Sequence, residues 1–531
     1  MSKDRVAQER QMIVEAREKG AGATIVTYGK LSGPGWLQSA LTLGGGSLAS
    51  SLYLGVLAGV SMMWLQPLAM ILGIIMLSAI SYVTLSTGER PFRAINKHIS
   101  PIAGWGWLLA SLAANMVWAL PQYSLCFGAL EKNLMPGVLG AGGPLAGDTG
   151  KWTVSLVILG FSTIVVWSYG SGGWGVKIYE WVLKAVVALI VSCFVGVVAW
   201  MTISEQGLDW WAIMNGFVPD LRQFYEPAER FQIVIQSIPN EAAREYWTKY
   251  IVAEQRDVML SAAATAVGIN MTFLLPYSLL SRGWDRDFRG LATFDLCTGM
   301  FIPFMLATSA VVIASATQFH AELPAGVVRH GNHFHGVTES IEKEMNGAIA
   351  NREAKVESSV DTSEQELAMM LIKRDATALA SSLEPLMGKK WANLAFGLGV
   401  VGMALSTISL LMLISGFIVC EIMDVPQKGW PHRLGCMLAA TGILWPLVWA
   451  GPARFWLAIL TSLFGITLLP IAYITFYLMM NKATILGDDR PKGMAAVRWN
   501  IGMAIAATAA TGASVYVMYT KFGQLIGKLF G

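Results

Sequence analysis

The stretch Gly33-Pro-Gly-Trp-Leu-Gln-Ser-Ala-Leu-Thr-Leu-Gly-Gly-Gly-Ser-Leu-Ala-Ser-Ser51 decides the fold. It lies in an apolar run from about Leu31 to Val60, long enough to span a membrane. Gly44, Gly45 and Gly46 fall near its middle, followed by Ser47, Ser50 and Ser51. Each Gly costs roughly 1 kcal/mol relative to Ala inside a helix. The cluster predicts a helix interrupted at Gly44–Ser47. Irregular backbone at membrane depth is tolerated only when buried in protein or lining a watery cavity. The bland alternative is a glycine face that lets helices approach closely; Gly55 and Gly59 read that way, as intramolecular packing.

The rest of the chain fits a polytopic helical membrane protein. Of its 531 residues, 54% are hydrophobic and 14% charged, against roughly 25% charged in an average soluble domain. Mean hydropathy is +0.52. A net charge of +3 gives no reason to expect a nucleic-acid partner. No nucleophile–base pair or phosphate-binding loop stands out, so an enzyme is not expected, nor any cofactor. The expected partners are a transported ion or small solute and the lipid bilayer. Cys126, Cys193, Cys297, Cys420 and Cys436 have no metal-ligand spacing and read as small buried hydrophobes. Residues 1–20 are charged throughout and read as a short cytoplasmic helix rather than a signal peptide.

Eleven spans are expected, near 31–59, 61–86, 101–130, 152–170, 178–203, 257–281, 291–317, 391–423, 432–450, 454–480 and 494–519. With the N-terminus inside, inward connections carry Arg90, Arg93, Lys97, Lys177, Lys184, Arg282, Arg286, Arg289, Lys428, Arg433, Lys482, Arg490, Lys492 and Arg498. The short outward ones carry only Lys132, Lys151 and Arg454. This obeys the positive-inside rule and predicts a multi-pass protein of the plasma (inner) membrane with a cytoplasmic N-terminus. The expected organisation is a cytoplasmic segment at 1–30, a first repeat at 31–203, and an extracytoplasmic insert at 204–256. A second repeat follows at 257–480, with a second insert at 318–390, and then an eleventh span and tail at 481–531. In that second insert His330, His333 and His335 form a weak candidate zinc cluster, more simply a polar loop left unshaped by Gly331 and Gly336.

The sixth span reads Val267-Gly-Ile-Asn-Met-Thr-Phe-Leu-Leu-Pro276 and is also interrupted. Breaks in spans one and six are what two inverted five-span repeats predict. Here the chain resembles the Nramp divalent-metal transporters, whose fold is the LeuT type. Gly33-Pro-Gly35, Thr87-Gly-Glu89, Tyr179-Glu180 and Ser281-Arg282 are similar to the family's helix ends. Trp391 to Val400, through Ser406 to Glu421, is similar to its eighth helix. Thr467-Leu-Leu-Pro470, Asn481 and Gly487 are similar to its tenth.

The resemblance implies an all-α polytopic protein with two inverted five-helix repeats, an eleventh helix, and helices one and six broken. It also shows departures. The family's Asp-Pro-Gly-Asn falls on Gly44, Gly45, Gly46 and Ser47, and its Met-Pro-His-Asn on Ile269, Asn270, Met271 and Thr272. By that alignment its acidic, amide and thioether ligands are all replaced. Its helix-ten Gln falls on Leu468, its helix-three acids near Pro121, Gln122 and Ser124, and its second helix-six His on Pro276.

The substrate site expected from these positions is Gly44, Gly45, Gly46, Ser47, Ile269, Asn270, Thr272, Gln122 and Tyr123, with Asn115 nearby. It carries no charge. Nothing in it offsets the dehydration of a bare divalent ion, whereas hydroxyls and amides suit a hydrated hard ion such as magnesium. A small carboxylate or amino acid held on glycine N–H groups is the alternative, and a non-transporting receptor-like relative is a third. Titratable groups are nearly absent inside the spans, which predicts transport without proton coupling. Glu89, Glu180, Asp295 and Glu421 lie near span ends and read as structural, with Asp295 expected to pair with an arginine such as Arg289.

Overall fold

Long apolar runs must close their backbone hydrogen bonds within helices, because lipid offers no partners. The computed structural model describes residues 3–169, 174–203, 207–374, 388–449 and 454–523. Helices α1 (Lys3–Glu18) and α2 (Ala21–Leu31) precede the first span. That span is α3 (Pro34–Thr42) followed by α4 (Gly45–Ala58), bent by 52°. Next come α5 (Leu65–Thr87), α6 (Pro101–Ala129), α7 (Asp148–Tyr169) and α8 (Trp174–Ile203). The sixth span is α9 (Glu241–Ala266) followed by α10 (Ile269–Ser281). The seventh is α11 (Arg289–Leu296) and α12 (Ile302–Phe319), joined by a π-helical turn. Then follow α13 (Lys389–Ile422), α14 (Arg454–Asn481) and α15 (Gly493–Val517).

Among the described residues eight helical stretches are long and apolar enough to cross a membrane, and the bent α3/α4 pair makes a ninth. The chain is a multi-pass membrane protein. Two of the eleven expected spans look different. The apolar part described in α8, Val187–Ile203, is short. The segment expected at 432–450 is no single helix: Trp430–Cys436, a 3-10 stretch Met437–Leu444 and a turn Trp445–Val448 follow one another. Its glycines explain the close fit. A Cβ on Gly442 would lie 2.4 Å from the Tyr123 ring, and one on Gly435 would lie 2.7 Å from Val419. Residue 450 and the Glu180 side chain lie outside the described residues.

Both breaks are narrower than expected. Leu43 and Gly44 leave the helical conformation, while Gly45–Ser47 already form the first turn of α4. Val267 and Gly268 are extended, while Ile269–Thr272 start α10. Gly55 packs α4 on α12, since a Cβ there would sit 2.0 Å from Ser315 Oγ. Cys297 is exposed rather than buried, because it lies on the outer side of the π-helical turn.

The connecting segments are docked, not loose. Helix α1 buries Ile13 and holds the 282–288 connection: Arg10 pairs with Asp285 and, at 3.0 Å, with Asp287, while Arg17 Nη2 donates to the Asp287 carbonyl at 3.1 Å. The Trp64 N–H donates to the Gly216 carbonyl at 2.9 Å, which ties the 207–236 segment to the first residues of α5. In the second insert a fully buried pair, Arg352 and Glu364, is locked onto α9 by the Trp247 indole N–H at 2.9 Å. The three histidines lie on a hairpin, β1 (Val328–His330) and β2 (His333–His335), with His330 paired to His333 across a turn in which Gly331 has φ +62°. The loop is therefore shaped, and all three rings are exposed. Among the described residues no group of three or more potential ligands could hold a metal ion.

Candidate functional site

The two helix breaks open on one cavity of about 50 Å³. Freed backbone groups at the breaks must find partners. The Leu43 N–H returns to the Ser39 carbonyl at 2.8 Å. The Gly45 N–H donates to Gln122 Oε1 on α6 at 3.1 Å. The Ser47 hydroxyl donates to the Thr42 carbonyl across the break. At the other break the Gly268 N–H reaches Met271 Sδ at 3.4 Å, and the Thr42 hydroxyl donates to the same sulfur at 3.4 Å. The two breaks are thus joined through one thioether.

Close approach explains the glycines. A Cβ on Gly44 would lie 2.6 Å from Thr407 Oγ1, and one on Gly45 would lie 2.2 Å from Leu125 Cδ1. Both positions are in the ordinary negative-φ range or helical, so the constraint is space and not backbone strain.

Of the positions expected from sequence, Gly44, Gly46, Ser47, Gln122 and Asn270 line the cavity. Gly45 stands behind it through its bond to Gln122. Ile269, Thr272 and Tyr123 do not line it. Thr272 points the other way, accepting from the Trp107 indole at 2.9 Å, because α10 already turns there. Tyr123 is buried against Gly442. Asn115 bonds Ser415 at 3.2 Å. Sequence reasoning missed Thr42, Trp118, Thr265, Met271, Thr407, Thr461 and Ser462 in the wall. Thr407 sits on α13 with no local signal, and only its contact with Gly44 places it.

The donor set is neutral. No Asp, Glu, Lys, Arg or His among the described residues lines the cavity. It does contain an amide, Asn270, and a thioether, Met271, but no carboxylate among the described residues. Both amide atoms of Asn270 and the Thr407 hydroxyl are buried with no hydrogen-bond partner among the described residues. Each such group costs about 1–3 kcal/mol unless something bonds it.

A larger cavity, about 740 Å³, lies elsewhere, between the ends of α4 and α12 and the 207–232 segment. It has charged walls, including Asp220, Arg222, Glu226 and Arg230. His320 at its edge donates from Nδ1 to the Val56 carbonyl at 2.9 Å, and burial pulls its pKa below the ordinary value. It touches neither helix break.

Residues 35–520 match the family described as natural resistance-associated macrophage protein-like, Nramp. The chain belongs to the Nramp-like family. Its fold is accordingly the LeuT type, with two inverted five-helix repeats, an eleventh helix, and helices one and six broken. A crystal structure of the Eremococcus coleocola manganese transporter, in complex with an aromatic bis-isothiourea compound, is similar at TM-score 0.62 and 12% identity. That match covers 94% of this chain and 88% of the other. A mutant of the same transporter matches at TM-score 0.63 and 13% identity, over 96% and 88%. At these identities the likeness shows the fold. No individually curated protein matches the sequence.

In this Nramp-like chain Asp295 does not pair with Arg289. Arg289 instead reaches Asp489 at 2.7 Å and lies over the Tyr82 ring. Asp295, 1% exposed, accepts from the Gly35 N–H at 2.6 Å, the Gly33 N–H at 3.1 Å and the Ser32 hydroxyl. It caps the N-terminus of α3, where a carboxylate meets free N–H groups and the positive end of the helix. Gly35 makes room, since a Cβ there would lie 2.2 Å from the Asp295 carbonyl. Glu421 is likewise structural, held by Arg90 at 3.2 Å. Hydrogen bonds to a charged group are worth about 1.5–3 kcal/mol each, so Asp295→Ala is expected to destabilise the fold by about 3 kcal/mol or more. A thermal unfolding midpoint unchanged from the parent protein would refute the capping role.

Proposed function

We propose that this Nramp-like chain is a secondary transporter of a divalent cation that travels with part of its water, magnesium being the best fit. The reading rests on the neutral cavity at the paired breaks, with the unpartnered amide of Asn270 and hydroxyl of Thr407 facing a guest. Amide and hydroxyl groups bond well to coordinated water, and magnesium dehydrates reluctantly. A transition metal prefers imidazole, thiolate or thioether ligands. Here the one sulfur among the described wall residues, Met271 Sδ, already accepts two hydrogen bonds. The alternative of a carboxylate cradle is weakened because the Gly45 N–H is engaged by Gln122.

A ligand that binds the folded state raises its stability, by about 2.7 kcal/mol at a hundredfold excess over Kd. Magnesium is expected to raise the unfolding midpoint of the purified protein, and Asn270→Ala to remove that rise. Manganese is expected to show no binding that responds to Asn270→Ala or Ser47→Ala. Tight manganese binding lost in both variants would overturn the proposal, and stabilisation by a small carboxylate alone would favour the organic solute.

Transport is proposed to run without protons, driven by the ion gradient and the membrane potential. A proton route needs a titratable group along the path. The cavity wall has none among the described residues, and Asp295 is engaged as a helix cap. In proteoliposomes carrying an internal pH dye, magnesium uptake is expected without acidification. Substrate-dependent acidification that disappears in Asp295→Asn would make Asp295 the carrier instead.

The distribution of basic residues supports a plasma (inner) membrane protein with a cytoplasmic N-terminus and both inserts outside. A cysteine introduced at Ser340 is expected to react with an impermeant thiol reagent from the extracytoplasmic side only. Labelling from the cytoplasmic side would reverse the topology.

A further inference from the structure

Trp118 lies on α6, but its indole is inserted between two other helices. Its Nε1–H donates to the Thr461 carbonyl of α14 at 2.8 Å. A Cβ on Gly268, in the sixth-span break, would lie 2.2 Å from Trp118 Cη2. A Cβ on Gly465 of α14 would lie 2.2 Å from Trp118 Cζ2. The indole therefore occupies a slot that any larger residue at either glycine would close. It also forms part of the wall of the central cavity.

Accessibility differs between the sides of the cavity. Ser47, Gln122, Asn270 and Thr407 are buried. Only Gly46, Trp118 and Thr265 among the lining residues are partly exposed. These lie on α4, α6 and α9. On the α3 side, Leu37, Gln38, Ser39 and Ala40 are at most 2% exposed, and the stacked rings of Phe273 and Tyr277 belong to the buried core. The partly exposed side of the cavity is therefore the one that holds Trp118.

The size of the cavity gives this position a consequence. On the same measure one water takes about 10–15 Å³, so six waters need roughly 60–90 Å³, while the cavity offers about 50 Å³. A hydrated ion enters only if a wall element withdraws. Trp118 is the bulkiest wall residue, sits on the accessible side, and its indole N–H is held by one hydrogen bond, to the Thr461 carbonyl, between two glycine surfaces that offer no side chain to grip it.

We propose that Trp118 is the size filter of the access route, with its indole setting the largest guest that reaches Asn270 and Thr407. The identity of the guest rests on the cation reading above; the filter does not. The test therefore uses no transported substrate. Thr407→Cys places a reporter thiol deep in the cavity, in a chain also carrying Cys193→Ala and Cys297→Ala. The purified protein is treated with a small methyl and a bulky trimethylammonium-ethyl methanethiosulfonate, and modification rates are read by mass spectrometry. Trp118→Ala is expected to speed the bulky reagent about tenfold, equivalent to about 1.4 kcal/mol of barrier, and to leave the small one nearly unchanged. Trp118→Phe, which keeps a ring in the slot, is expected to fall between and guards against misfolding of the alanine variant. Equal acceleration of both reagents, or of neither, in the two variants would overturn the filter. A size-selective effect without magnesium stabilisation would keep the filter and remove the cation reading.

Discussion

A helix interrupted inside a membrane leaves backbone groups that lipid cannot bond, and the centre of this protein is arranged around that constraint. The Gly45 N–H is taken by Gln122 from α6, the Thr42 carbonyl by Ser47, and the Gly268 N–H by Met271. Each solution brings another element to the break. Side chains from α6, α10 and α13 therefore crowd the same small space, and glycines at 44, 45 and 268 are the residues that let them in. The cavity is what remains once those partners are in place.

Charge is sorted away from this centre. Carboxylates near the span ends bond helix termini or arginines: Asp295 caps α3, Glu421 meets Arg90, and Asp489 meets Arg289. An unpaired charge in the bundle would be costly, and the cavity wall carries none among the described residues. On the proposed cation reading, the same sorting would leave selectivity to hydration and size more than to ligand charge. Neutral amides and hydroxyls bond water and hard ions without discriminating strongly between them, so the width of the approach gains weight.

The family relationship and the residue chemistry answer different questions. The match over residues 35–520 and the likeness to a manganese transporter at 12–13% identity establish the architecture. Among the described residues the cavity has no carboxylate, and its thioether is bonded within the protein. A shared fold hosts different cargoes when a few wall residues change.

The sequence by itself determined the helical membrane class, the family, and the breaks in spans one and six. Those features are local: apolar runs have a length, and Gly44–Gly46 and Gly268 mark helix interruptions wherever they stand. Ser47, Gln122 and Asn270, singled out from sequence, line the cavity between the breaks. Tertiary structure alone decided the rest. The breaks shrank to Leu43–Gly44 and Val267–Gly268 because neighbouring side chains bond the freed groups and let the helices resume at once. That shift of phase turned Thr272 toward Trp107 and brought Met271 into the wall. Asp295 found the N-terminus of α3 and not Arg289, and Trp118 and Thr407 joined from α6 and α13. Such pairings depend on distances between segments far apart in the chain, which a helical period does not encode.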